Sequence, residues 1–340
     1  MASRCANLPL LAAGVLLALL LASGCTTVEP VGEKGARTAE TVCEMTRDEQ
    51  PEGLSGISRI EGNRYYCVDD SDGLLYEAEI VLNDDEDDGT FKVLRRVKLE
   101  GRKDLEGCAY DPLDGCVWVS DESDHSIRQF DPVTGRETAA VVIPEVYRKH
   151  MRPNRSFEAL AISPDGLRMY AANEDTLTCD GEPAGKERRG LVRIQEFARA
   201  EAGAPWTPTR QYRYATEPVE GEKYNGTAVS GVSALCAPGD GSLLVLEREM
   251  SQKNPLFPSF HGRLFEIDLA DVREPVEKRV VWDEDTMFAN YEGISFGPVL
   301  KDGSRALMLV SDGDGEAEER LLVLTLKSGE ADYSPLQKGR

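Results

Sequence analysis

Apolar and polar residues alternate with a period of two along most of this chain, and turns rich in Gly, Asp and Pro interrupt the alternation. The stretch NRSFEALAISPDGLRMYAANEDTL, residues 154 to 177, shows the pattern. Leu160 and Ile162 alternate in one run, Met169 and Ala171 in the next, and Ser163-Pro164-Asp165-Gly166 supplies the turn. The pattern predicts a strand, a tight turn and a second strand, with Glu158 at the head of the first and Glu174 at the end of the second.

The unit recurs. Aligned on Glu158, similar segments are LSGISRIEGNRYYCVDDSDG from Leu54, LEGCAYDPLDGCVWVSDESD from Leu105, VSALCAPGDGSLLVLERE from Val232 and YEGISFGPVLKDGSRALMLVSDGDG from Tyr291. Their anchor residues are Ser55, Glu106, Glu158, Ser233 and Glu292, spaced by 51, 52, 75 and 59 residues. Two further strand-like runs follow each of the first four hairpins, whereas only LLVLTL follows the fifth. RTAETVCEM, near the N-terminus, is the candidate for the missing outer strand. Helical periodicity is almost absent. Four strands per repeat at roughly 40–60 residues predicts an all-β fold, a single β-propeller of four-stranded blades. Five blades closed by the N-terminal strand fit the count, and six if the 75-residue interval hides a degenerate blade.

In such a ring the start of each inner strand and the end of the second strand share one face. Ser55, Glu106, Glu158, Ser233 and Glu292 would then surround one channel mouth. Asp69, Asp70, Asp121, Glu122, Glu174, Glu247, Glu249 and Asp312 would lie around them. Carboxylates gathered this closely repel unless a cation or bases neutralise them.

The N-terminus reads differently. Arg4, an apolar run from Leu8 to Ala22, and Leu21-Ala22-Ser23-Gly24-Cys25 resemble a bacterial lipoprotein signal, which implies that Cys25 becomes the lipidated first residue. The expected organisation is a signal over 1–24, a polar tether over 25–40 and a propeller over 41–335, on a protein exported to the bacterial cell envelope. The lipid anchor would be the membrane attachment, to the outer membrane or another periplasm-facing surface. Formal net charge is −22, from 61 acids against 39 bases, which repels nucleic acid and argues against polynucleotide binding. Beyond Cys5 and Cys25, six cysteines remain, an even count that permits disulfides in an exported protein; Cys108 and Cys116 flank the turn DPLDG.

NRSFEALAISPDG with NEDTL, DLEGCAYDP with VWVSDES, LLVLERE, and NYEGISF with LMLVSDGDG together resemble the phytase-like domain family, also described as esterase-like activity of phytase. The resemblance runs from about residue 50 to 330 and departs from the family pattern at Ser156 and Ala159, where Gly is more common. It implies an exported propeller with activity on phosphate esters.

Four features bear on chemistry. Glu106, Glu122, Glu158, Glu292 and Asp312 are candidate ligands for Ca2+, a hard cation that takes six to eight oxygens; the plainer alternative is that inner-strand Glu and Ser bond across neighbouring blades. The basic run YRKHMRPNR offers Lys149, Arg152 and Arg155 as a clamp for an anionic substrate, with Glu158 or Glu174 as general base. Gly293-Ile294-Ser295-Phe296-Gly297 matches the serine-hydrolase G-x-S-x-G pattern, but it falls within a predicted strand in a chain with three histidines. DDEDDG at 84–89 reads as an acidic hairpin turn, because Arg95 stands where a calcium loop needs its bidentate Glu. Two functions follow: a Ca2+-assisted hydrolase of phosphorylated or other anionic esters, or a non-catalytic propeller that binds a ligand or an envelope protein.

Overall fold

The computed structural model describes residues 36–46, 51–221, 228–254, 257–287, 289–313 and 319–328. The signal segment, Cys25 and most of the tether lie outside them.

The first strand, β1 (Thr38–Thr46), stands apart in sequence from the blade it completes. Blade one is β2 (Leu54–Glu61), β3 (Arg64–Asp69), β4 (Leu74–Leu82) and β5 (Gly89–Lys98). Blade two is β6 (Leu105–Asp111), β7 (Cys116–Asp121), β8 (Ser126–Phe130) and β9 (Glu137–Ala140), followed by a short helix, α1 (Glu145–His150). Blade three is β10 (Phe157–Ile162), β11 (Arg168–Asn173), β12 (Leu191–Ala198) and β13 (Thr207–Ala215); blade four is β14 (Val229–Cys236), β15 (Ser242–Asn254), β16 (Phe257–Asp268) and β17 (Lys278–Met287). Blade five joins β18 (Asn290–Val299), β19 (Arg305–Asp312) and β20 (Arg320–Lys327) to β1, which pairs antiparallel with β20 from Thr38↔Lys327 to Thr46↔Arg320. Each sheet has four antiparallel strands, and the inner strands β2, β6, β10, β14 and β18 contact one another in a closed ring. This is a five-bladed β-propeller closed by its N-terminal strand. Thr38 to Glu40, read from composition as the end of the tether, belong to that strand.

Burial explains which strand takes which place. Inner strands are buried almost throughout, as in β6 and β10, while the outer β5 (GTFKVLRRVK) alternates along its length between half-buried and exposed residues. Five apolar clusters form, one at each blade interface. Blades two and three, for example, meet through Trp118 and Ile127 on one side and Phe157, Met169 and Phe197 on the other. The long interval after Glu158 holds no sixth blade. Its extra residues form the loop between β11 and β12, where Asp180 accepts from Arg193 at 2.6 and 2.7 Å and from Arg213 at 2.8 Å.

Cys108 and Cys116 do not face each other across their hairpin. Cys108 lies opposite Val119 and Cys116 lies opposite Asp111, and no disulfide joins them. DDEDDG is the acidic turn between β4 and β5.

Candidate functional site

Every anchor residue falls where its inner strand bulges. The register between inner and second strand slips at Leu54/Gly56, Leu105/Cys108, Phe157/Ala159, Val232/Ala234 and Tyr291/Gly293. Caught in the slips are Ser55, Glu106 with Gly107, Glu158, Ser233 and Glu292 in turn. A bulge leaves its extra residue unpaired and re-aims its side chain. It also draws neighbouring inner strands close. A Cβ on Gly56 would lie 2.5 Å from the Glu106 carbonyl oxygen, and one on Gly107 would lie 2.7 Å from the Glu158 oxygen.

The serines and glutamates then part company. Ser55 Oγ donates to the Leu105 carbonyl and Ser233 Oγ donates to the Tyr291 carbonyl at 3.2 Å, each reaching the next blade. These hydroxyls clip blades together. Glu106, Glu158 and Glu292 are each only 7 % exposed and have no such backbone role, so their carboxyl groups meet inside the mouth.

In one half of the mouth the acids outnumber the bases. Asp104, Glu106 and Glu122 can each bring a carboxylate oxygen within 4.8 Å of the others. Among the described residues none of the three makes an ion pair with Arg or Lys. Glu122 is oriented by the Ser156 N–H, which donates to its Oε1 at 2.7 Å. Burial holds the Glu106 and Glu158 carboxyls well above the ordinary range, and the acids around them push in the same direction. Each carboxylate disfavours the charge of the other, so their closeness favours protonation when no cation is present. The donor set is all oxygen and carries excess negative charge, which suits a hard divalent cation.

The other half is acid matched by arginine. Arg155 Nη1 donates to both oxygens of Glu174, at 2.7 and 2.6 Å. Arg248 donates to Glu292 at 2.7 Å, lies 3.5 Å from Glu174, and feels the charges of Glu158 and Asp312. Those partners raise the Arg248 pKa further, so the guanidinium stays charged. Asn290 Nδ2 also donates to Glu292, at 2.8 Å. Glu292 nevertheless titrates at about 8: burial outweighs Arg248, and Asp312 and Glu174 add repulsion.

The five residues expected to ligate a metal therefore divide. Glu106 and Glu122 join Asp104, Glu292 and Asp312 belong with Arg248, and Glu158 stands between, interacting with acids of both halves. Of the basic clamp, Arg155 reaches the mouth. Arg152 instead donates to the Thr176 and Gly181 carbonyls at 2.8 Å, bracing the loop after β11. Lys149 is exposed on α1 and pairs with Glu145 at 2.7 Å. Four acids of the wider ring are used elsewhere. Asp69 accepts from Tyr76 and from the backbone of Asp72 and Leu74, and Asp121 accepts from Ser123. Glu247 meets Tyr214 and Lys278, and Glu249 meets Arg263 and the backbone of Glu220 and Gly221.

Sequence reading missed Asp104 and Arg248. Asp104 directly precedes the anchor pair Leu105-Glu106, a local signal that was available. Arg248 lies between Glu247 and Glu249 and looks like one more charge on a strand. Its register partners are Gly231 and Gly262, which offer no side chain beside it, and that pairing is visible only once the strands are aligned.

A second acidic group shows what a neutralised cluster looks like. Asp111 and Asp114 lie near Cys116, but Arg199 donates to each aspartate at 2.6 Å and stacks on Trp206 at 4.4 Å. That arginine already supplies the positive charge a cation would bring.

A five-bladed propeller with buried carboxylates gathered at one channel mouth is the class that fold and site define. The chain belongs to the phytase-like family described as esterase-like activity of phytase, whose model matches residues 50–315. No curated protein matches in sequence. Solved structures with a similar course include a PQQ-bound aldose sugar dehydrogenase from Streptomyces coelicolor, 13 % identical over 86 % of this chain and 99 % of that one, with a TM-score of 0.43. A catalytic domain of an α-L-arabinofuranosidase from Coprinopsis cinerea is 11 % identical over 86 % and 98 %, TM-score 0.43. A gluconolactonase from Xanthomonas campestris is 12 % identical over 84 % and 89 %, TM-score 0.36. These likenesses are too distant to carry an argument about chemistry.

Proposed function

We propose that this protein is an exported, lipid-anchored hydrolase of small anionic esters, phosphate monoesters among them, acting at the acidic channel mouth with a divalent cation such as Ca2+. The observation that carries the reading is the division of the mouth: on one side three oxygen ligands that, among the described residues, make no ion pair, and on the other two arginines. Asp104, Glu106 and Glu122 would hold the cation, which when bound supplies Lewis-acid polarisation of an ester oxygen. Arg155 and Arg248 both lie against Glu174 and would orient the anionic end of the substrate by charge-assisted hydrogen bonds. Glu158, between the halves, has its proton affinity raised by burial and by the acids around it, and is the residue placed to exchange a proton with an attacking water or a leaving group. Glu174, tied to Arg155 through both oxygens, positions that arginine. Cys25 would anchor the domain to the envelope.

Release of phosphate from aryl phosphates and inositol phosphates, and of acid from carboxylic esters, should be measured with and without added Ca2+. The reading expects Ca2+-dependent turnover that falls by about 100-fold or more in Glu158→Gln. Absence of turnover on the whole panel with Ca2+ saturating would defeat it.

One observation favours a second reading, a propeller that binds without turnover. The Ser295 hydroxyl of the G-x-S-x-G stretch accepts from the Arg59 N–H at 2.9 Å inside a strand, and among the described residues no histidine pairs with the mouth's acids. Calcium-dependent thermal stabilisation without activity on the panel would favour this reading.

A further inference from the structure

The opposite end of the channel holds a cavity of about 390 Å³, with every inner strand contributing to its wall. Ile57, Ala109, Leu160, Leu235 and Ile294, one from each blade, give it an apolar lining. These residues follow the bulges in each strand, so the cavity is separate from the acidic mouth. Two guanidinium groups, Arg59 and Arg305, also line it. Arg59 spends Nε on the Gly62 carbonyl and Nη1 on the Gly297 carbonyl, at 2.8 and 2.7 Å, and among the described residues Nη2 has no side-chain or carbonyl acceptor. Arg305 stacks on the Phe296 ring at 4.6 Å, and among the described residues it makes no ion pair. The Ser58 and Ser295 hydroxyls accept from the Tyr110 and Arg59 N–H groups at 2.8 and 2.9 Å, so each keeps its O–H to donate. Among the described residues, Glu61, exposed at the end of β2, is the only carboxylate on the lining.

We propose that this cavity is a second binding site, for a small organic anion with an apolar body, its charged group held between Arg59 and Arg305 and its body against the five-strand lining. The volume lies within the range of small-molecule sites, roughly 300–1,000 Å³. Two cations over an apolar floor match a singly or doubly charged head; a polyphosphate would need more positive charge. An anion also relieves a conflict in the free protein: the Arg305 charge is disfavoured by burial and by Arg59, lowering its pKa.

Anilinonaphthalene sulfonate, whose fluorescence rises on leaving water, is a direct probe. One saturable site is expected, competed by octanoate or by phenyl phosphate; which of the two competes better reports whether the site prefers a carboxylate or a phosphate head. Arg305→Gln should weaken the dye by roughly tenfold or more, the effect of losing a hydrogen bond to a charged group. Arg59→Gln should weaken it as well, and the uncharged analogue phenylnaphthylamine should bind more weakly than the sulfonate. Glu106→Gln, at the other mouth, should leave the titration unchanged. Wild-type affinity in Arg305→Gln and Arg59→Gln, equal binding of the uncharged analogue, failure of both competitors, or loss of the dye in Glu106→Gln would each overturn the proposal.

Discussion

Arg248 decides whether the channel mouth can fold. It is the shared partner of Glu292 and Glu174, within the field of Glu158 and Asp312. Removing one member of a buried charge group strands the others. Arg248→Met should therefore destabilise the protein by about 3–5 kcal/mol in urea unfolding, and Arg248→Lys by less, because a positive charge is retained. Glu292 adds a pH dependence of definite sign. Its folded pKa, about 8, lies above the ordinary 4.5, so the folded state holds the proton more tightly than the unfolded chain does. That contribution to stability is complete below about pH 4.5 and is lost as pH rises through about 8. Metal-free protein should accordingly lose stability across this window, and Glu292→Gln should flatten the loss. A variant whose stability falls as steeply as the wild type would show that other groups set the slope.

At the scale of the strand, the bulge organises the site. Five inner strands each slip by a residue at the anchor, and the slip turns a Ser or Glu out of the ladder toward the channel. The pattern was legible beforehand because anchor, alternation and turn repeat together, and a repeat aligned on one residue aligns all five. The division of labour was not. Whether an anchor clips blades, as Ser55 does, or joins a carboxyl cluster, as Glu106 does, depends on what the next blade presents, which no local pattern contains. For the same reason Arg152 looked like a clamp residue but braces a loop. The close approach around the bulge is itself testable. Gly107→Ala would push a Cβ to 2.7 Å from the Glu158 carbonyl oxygen, a backbone atom that cannot step aside cheaply. A loss of about 1–3 kcal/mol in stability is expected, together with weaker Ca2+ binding, since Glu106 and Glu158 flank that contact. Ser233→Ala should cost less, about 1 kcal/mol, the scale of one neutral hydrogen bond.

For the whole molecule, closure of the ring is what brings acids from different blades together, and β1 is the closing piece. It covers the edge of β20 and sends Cys43 and Met45 into the cluster between blades five and one. A chain begun after Thr46 would expose that edge and open the interface. It should elute as aggregate on gel filtration and lose its cooperative melt; an unchanged melt would show that four strands suffice for blade five. Blade two supplies Asp104, Glu106 and Glu122, blade three supplies Arg155, Glu158 and Glu174, and blades four and five supply Arg248 and Glu292, so a site on this face requires an intact ring. The most direct test of that site is calorimetric titration of the metal-free protein with Ca2+, alongside Glu106→Gln and Glu122→Gln. The account predicts one saturable Ca2+ site in the wild type, with proton release as the raised carboxyls ionise, and loss of that site in both variants. A wild-type protein that takes up no Ca2+, or variants that bind it unchanged, would contradict it.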